Sequence, residues 1–143
     1  MRWLLLDEIE AIEKGTKART TSHIPDSFFS PELGMMEMMA QTGGLLLGAE
    51  DDFNQDLIFA KIENAEFFAP WQAGEKIKIR AASGSLRPEG AWFEGSIEAG
   101  ERKIASARFL LMSVGRLAGN RPVTFHDAFM KHFKVRERVR SIE

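Results

Sequence analysis

The fold is indicated most clearly by HIPDSFFSPELGMMEMMAQTGG, residues 23–44. Ser30 and Pro31 are typical of a helix start, with Ser30 as the N-cap and Pro31 in the first helical position. The residues that follow are apolar on nearly every helical face as far as Leu47. Because a helix that is apolar all round must be covered on every side, this stretch predicts one long, buried, central helix.

Glu37 interrupts that apolar run. Its neighbours along the predicted helix are Leu33, Met35, Met36, Met38 and Met39. A carboxylate among apolar side chains costs on the order of several kcal/mol unless it has a partner or a task. Glu37 is therefore a candidate functional group, and the alternative is a structural carboxylate satisfied by an Arg or by a partner subunit.

The rest of the chain predicts a sheet around this helix. Segments with strand-like composition cover residues 17–24, 57–67, 75–82, 91–99 and 103–114. Turn residues separate the last three segments, which favours an antiparallel meander. Ile77 and Ile79 alternate with charged residues, as in a sheet with one face in water. The predicted fold class is α+β, with an antiparallel sheet wrapped around the helix.

The C-terminal part predicts a further helix. Thr124 opens it, and Phe125, Phe129 and Phe133 follow at intervals of four residues, as on one face of a helix. We expect this apolar stripe to dock on the main domain and the basic residues 131–140 to lie in water. The predicted domain organisation is therefore a main domain of residues 1–115 and a C-terminal helical extension of residues 116–143.

Composition excludes several classes of function. The net charge of the 143 residues is −2, which gives no electrostatic case for binding nucleic acid. There is no cysteine, so disulfides, thiolate metal sites and a cysteine nucleophile are excluded, and a cytoplasmic location is compatible. We expect no membrane span, and we expect His126 and His132, six residues apart, to be surface residues rather than metal ligands.

Two pieces of the chain resemble the FabZ-type 3-hydroxyacyl thioester dehydratases, which have the hotdog fold. The more specific piece is LIFAKIENAEFFAPWQAGEKIKI, residues 57–79, and it matches at Phe59, Ala60, Ile62, Ala65, Phe67, Pro70, Gly74, Ile77 and Ile79. The second piece is the helix, which matches at Pro31, Glu37, Ala40, Gln41, Gly43 and Gly44. The resemblance covers roughly residues 3–114.

The resemblance implies a hotdog fold, with a long central helix wrapped by an antiparallel sheet, here followed by a C-terminal helix. It implies removal of water from a 3-hydroxyacyl chain on acyl carrier protein or CoA, in fatty acid or polyketide-type metabolism. It also implies a homodimer or higher homo-oligomer. It requires no metal or organic cofactor. Such chemistry needs a base for the α-proton and an acid for the departing hydroxyl, and the resemblance implies His23 and Glu37 for these roles. The substrate-binding residues that it implies are Pro31, Glu32, Met36, Gln41, Phe59 and Phe67.

The alignment of His23 has two solutions. In one, His23 and Pro25 take the family's His-x-Pro positions, and His23 is catalytic. In the other, residues 20–24 stay in the strand, Phe28 and Phe29 match the family's Phe pair, and the loop that carries the catalytic His is deleted. The second solution favours a non-catalytic protein that binds acyl thioesters. A thioesterase, in which the helix carboxylate directs water onto the thioester, is a third hypothesis.

Overall fold

A computed structural model describes residues 5–24, 30–117, 119 and 124–141. The strands are β1 Leu6–Lys14, β2 Lys17–His23, β3 Leu57–Phe67, β4 Lys76–Ala82, β5 Gly90–Ala99, β6 Arg102–Ser113 and β7 Val139–Ser141. The helices are α1 Pro31–Gly48 and α2 Asp127–His132, with 3₁₀ turns at Ala49–Asp51 and Val135–Arg138.

The strands form one sheet in the order β3-β6-β5-β4-β2-β1-β7. All neighbouring pairs are antiparallel except β1 and β7, which are parallel. Helix α1 packs against strands β1 to β6, so the sheet wraps around it. The predicted α+β architecture and the five predicted strands are confirmed, with each strand boundary within one residue. None of the helices in the described part of the chain is long and apolar enough to cross a membrane.

Helix α1 begins where the sequence predicts. The Ser30 hydroxyl accepts a hydrogen bond from the Leu33 amide at 3.0 Å, and Pro31 is the first helical residue. This cap satisfies one of the amides that a helix start leaves without a partner. The four methionines around Glu37 are buried, but Leu33 is 52% exposed and Glu37 is half-buried. The first turns of α1 are thus less enclosed than the apolar run predicts.

The middle of α1 lies close to the sheet because it carries glycine there. A Cβ atom on Gly43 would stand 3.0 Å from the ring of Phe109, which is itself stacked on Phe93 at 5.5 Å between ring centroids. One residue earlier, the buried Thr42 hydroxyl donates to the Met38 carbonyl and pairs with Thr20 of β2, each at 2.8 Å. The helix and the sheet therefore pack closely at Gly43.

The C-terminal segment differs from its prediction. Helix α2 has six residues and His126, not Thr124, as its N-cap, so Phe125 and Phe133 flank the helix. All three phenylalanines of the stripe are nevertheless buried, which confirms that the stripe docks. The basic end is not simply solvated, because Val135 is fully buried and β7 pairs with β1.

We predict that Gly48→Ala destabilises the fold and that Gly44→Ala, in the same helix, does not. A Cβ on Gly48 would lie 2.6 Å from the Phe125 ring and 2.7 Å from the Phe53 ring, whereas a Cβ on Gly44 would make an ordinary 3.4 Å contact with Leu57. Overpacking costs about 1–3 kcal/mol, while alanine favours a helix over glycine by up to about 1 kcal/mol. Urea unfolding of both variants measures this difference, and equal stability of the two would contradict it.

Candidate functional site

A cavity of about 410 Å³ lies between α1, the start of β3 and the C-terminal segment. Its walls are mostly apolar, and the described residues that line it are Leu6, Glu37, Ala40, Gln41, Gly44, Leu45, Leu57, Ile58, Phe59, Leu111, Leu117, Thr124, Phe125, His126 and Phe129. The volume falls within the range of roughly 300–1,000 Å³ typical of small-molecule sites. An apolar cavity with few polar groups suits an aliphatic chain that carries one reactive end.

Glu37 faces this cavity from α1. Its Oε1 accepts a hydrogen bond from Nε2 of Gln41, one helical turn later, at 3.3 Å. Gln41 is itself oriented, because its Oε1 accepts from the Leu5 amide at 3.2 Å. This second bond fixes which end of the Gln41 amide is offered to Glu37. Among the described residues no ion pair involves Glu37, so the carboxylate is positioned by an amide and is not neutralised by a cation.

His126 lines the same cavity from the C-terminal segment. It is the N-cap of α2, and its Nδ1 accepts a hydrogen bond from the Phe129 amide at 3.2 Å. Glu37 and His126 are the two titratable side chains among the described residues that line the cavity. The sequence predicts His126 only as a surface residue; it is exposed, and it also forms part of the cavity wall.

Asp56 holds the C-terminal segment against the cavity. It is fully buried, and its carboxylate accepts from the amides of Leu117 at 2.7 Å and Thr124 at 2.6 Å. The Thr124 hydroxyl in turn accepts from the Leu57 amide at 3.2 Å, which ties the segment to β3. The sequence does not single out Asp56, which resembles the other acidic residues of its loop.

His23 lies elsewhere. It is the last residue of β2, where it pairs with Lys76, and its exposed side chain contacts the Asp7 carboxylate through Nδ1. It is not among the residues that line the cavity. Strand β2 ends at His23, between the end near residue 22 that the catalytic alignment gives and the end at residue 24 that the deletion alignment gives. Pro25, Phe28 and Phe29, on which the two alignments also depend, lie outside the described residues.

The other predicted site residues divide into two groups. Gln41 and Phe59 line the cavity together with Glu37. The remaining predicted residues do not line it: Pro31 and Glu32 are half-buried in the first turn of α1, Met36 is buried in the core, and Phe67 is half-buried at the far end of β3. The described residues contain no group of His, Cys, Asp and Glu side chains arranged to hold a metal ion.

Comparison with known sequences finds relatives among the dehydratases. The chain is 27% identical over 95 residues to the 3-hydroxyacyl-[acyl-carrier-protein] dehydratase FabZ of Caulobacter vibrioides, a match that covers 64% of this chain and 60% of that protein. It is 26% identical over 95 residues to the FabZ of Caulobacter sp. strain K31. The chain thus spans about 60% of the length of the curated relatives that it matches. No family model matches the chain.

Comparison with solved structures shows the fold. The dehydratase heterocomplex ApeI:P from Xenorhabdus doucetiae matches with a TM-score of 0.66 and 14% identity, over 80% of this chain and 85% of that one. A protein of Streptococcus mutans UA159, smu.793, bound to acetyl CoA, matches with a TM-score of 0.62 and 13% identity, over 81% and 94% of the two chains. A hypothetical thioesterase of Streptococcus pneumoniae TIGR4, with coenzyme A, matches with a TM-score of 0.60 and 14% identity, over 76% of this chain and 86% of that one.

These comparisons confirm two predictions. The chain has the hotdog fold, and its sequence is similar to that of the FabZ dehydratases.

We predict that Asp56→Asn destabilises the protein by about 1–3 kcal/mol, because the Asn amide nitrogen would face one of two backbone N–H groups in a buried place. The matched control is Asp52→Asn, since Asp52 is exposed, forms an exposed ion pair with Arg136 and has a left-handed backbone that Asn adopts readily. Urea unfolding measures both. If Asp56→Asn loses no more stability than Asp52→Asn, the carboxylate does not hold the segment.

Proposed function

We propose that this protein is a hydro-lyase that removes water from a 3-hydroxyacyl chain linked to phosphopantetheine through a thioester. The observation that carries the proposal is the placement of Glu37, half-buried and oriented by Gln41, on the wall of an apolar cavity. The similarity to FabZ dehydratases supports the reaction type. The same proposal places the protein in the cytoplasm, in fatty acid or polyketide-type metabolism.

Glu37 is the proton-transferring group in this proposal. Elimination of water breaks a C–H bond next to the thioester carbonyl and a C–O bond at the third carbon, so a proton leaves one position and another reaches the hydroxyl. A carboxyl group at the wall of a mostly apolar cavity suits both transfers. His23 serves as the predicted base only in a dimer that brings β2 of one subunit to α1 of the other, because within one chain it lies outside the cavity.

The thioester carrier is CoA or acyl carrier protein. Two proteins with the same fold were solved with coenzyme A or acetyl CoA, which supports a CoA thioester. The FabZ relatives are named for an acyl carrier protein substrate, which supports the carrier-protein form. Both forms present the same phosphopantetheine thioester to the cavity.

The proposal includes a homodimer joined through β3. This strand is eleven residues long and lies at one edge of the sheet, whereas the opposite edge strand, β7, has three residues. Ile58 and Ile62 of β3 are 43% and 47% exposed. A long edge strand with exposed apolar side chains is prone to pair with another strand, and a second copy of β3 would continue the sheet.

A second candidate function is binding of an acyl thioester without turnover. The observation that favours it is that His23 lies in β2 beside Asp7. Seven residues, 24–30, separate β2 from α1 in the sequence. In that case the cavity would hold the acyl chain, but no second acid–base group would act on it. The third hypothesis, a thioesterase, would use Glu37 to direct water onto the thioester and would release free thiol.

We predict that Glu37→Gln lowers the rate of enoyl thioester formation by on the order of 100-fold or more, because acid–base groups contribute about 10²–10⁴-fold. The assay follows the absorbance of the enoyl product. The substrates are CoA thioesters with chains from 3-hydroxybutyryl to 3-hydroxydecanoyl, and the same chains on acyl carrier protein. A thiol reagent in parallel detects hydrolysis.

The control is Glu101→Gln, which changes an exposed carboxylate in the turn between β5 and β6 and should leave the rate unchanged. Thiol release without enoyl product would favour the thioesterase. Binding of the acyl chains without either product would favour the binding protein and contradict the hydro-lyase.

We predict that Ile62→Lys converts the protein to a monomer, since a charge at the centre of the β3 edge opposes burial against a second copy. Light scattering after size-exclusion chromatography measures the mass of the particle. Ala73→Lys, in an exposed turn, is the control and should keep the dimer. A wild-type protein that is monomeric, or an Ile62→Lys protein that stays dimeric, would contradict the β3 interface.

A further inference from the structure

We propose that His126 is a second catalytic residue of this site, and that its Nε2–H donates a hydrogen bond to the carbonyl oxygen of the acyl thioester while Glu37 transfers the proton. This inference rests on the proposed function. It names the group that acts with Glu37 within one chain.

The position of His126 is set by the residues on both sides of it. Phe125 and Phe129 are buried, with ring centroids 6.2 Å apart, and Phe125 packs edge-on against Phe53 at 5.1 Å. Asp56 fixes the backbone two residues before His126 through the Thr124 amide. The imidazole is thus held at the cavity by anchored neighbours although it is itself exposed to solvent.

The N-cap hydrogen bond selects the tautomer of His126. Nδ1 accepts the Phe129 N–H at 3.2 Å, which requires an unprotonated Nδ1. The neutral imidazole then carries its proton on Nε2, the nitrogen that the cap leaves unused. In this state the Nε2–H of His126 can donate a hydrogen bond to a ligand, but Nε2 cannot remove a proton from it.

This assignment divides the chemistry between Glu37 and His126, the two titratable groups that line the cavity among the described residues. The Glu37 carboxylate removes the proton next to the thioester carbonyl, and the electron pair moves into the carbonyl to give an enolate whose oxygen His126 stabilises. The enolate re-forms the carbonyl as the C–O bond at the third carbon breaks, and the Glu37 carboxyl gives its proton to the departing hydroxyl. The products are the enoyl thioester, water and the original carboxylate, so atoms and charges balance.

A neutral imidazole is suited to this role. A hydrogen-bond donor that is already in place when charge develops on an oxygen lowers the barrier without reorganising, and loss of one such donor costs about 10²–10³-fold in kcat. This mechanism needs no catalytic histidine in a loop before α1.

The test compares the three histidines, each changed to asparagine. Asparagine is a good N-cap, so His126→Asn keeps the cap of α2 but loses the imidazole Nε2–H. We expect kcat with 3-hydroxyacyl-CoA substrates to fall on the order of 100-fold in His126→Asn with little change in KM. The control is His132→Asn, on the same helix and outside the residues that line the cavity, with unchanged kcat.

His23→Asn decides between the two imidazoles. Loss of turnover in His23→Asn with normal turnover in His126→Asn would overturn the inference and leave the proposed function standing. Wild-type protein that forms no enoyl product would instead overturn the proposed function.

A second measurement tests His126 without turnover. In ¹⁵N spectra of the imidazoles we expect His126 to carry its proton on Nε2, and we expect that signal to shift when hexanoyl-CoA is added, while His132 does not shift. A proton on Nδ1, or a His126 signal that hexanoyl-CoA leaves unchanged, would overturn the inference.

Discussion

Helix α1 has eighteen residues with apolar side chains on nearly every face, so other parts of the chain must shield it from water on several sides. The curved sheet covers one side, and Gly43 lets the helix approach Phe109 there. The end of the helix is covered by other residues, because Gly48 leaves room there for the rings of Phe53 and Phe125. The C-terminal phenylalanine stripe is thus part of the core, and the side of α1 between this stripe and β3 is where the cavity forms.

The polar groups of the site follow from the same packing. A buried carboxylate is tolerated when hydrogen bonds satisfy it, and Asp56 meets that condition by accepting two backbone amides. Those bonds place Thr124, and with it the start of α2, against β3 and α1. Glu37 is positioned in a different way, by Gln41, which is held in turn by the backbone at Leu5. Glu37 therefore faces a side-chain amide of fixed orientation, and one ring nitrogen of His126 accepts from the Phe129 amide.

Much of this fold could be predicted from local sequence signals. Ser30 and Pro31 define the start of α1 because capping is a property of adjacent residues, and alternation such as that around Ile77 defines the strands. The length of α2 could not be predicted, because Lys134 takes a left-handed backbone so that Val135 can be buried in the main core. Asp56 and His126 were missed for a related reason. Asp56 binds partners that are more than sixty residues away in the chain, and His126 is brought to the cavity wall by the fold. Neither arrangement produces a periodic pattern in the sequence.

The most direct test is a crystal structure of Glu37→Gln with a bound 3-hydroxyacyl-pantetheine. We expect an acyl chain in the cavity between α1 and β3, with its thioester carbonyl oxygen within hydrogen-bond distance of His126 Nε2, about 2.7–3.2 Å, and its second carbon beside residue 37. A chain that lies outside this cavity, or a carbonyl directed at another group while His126 faces solvent, would contradict the roles proposed for Glu37 and His126.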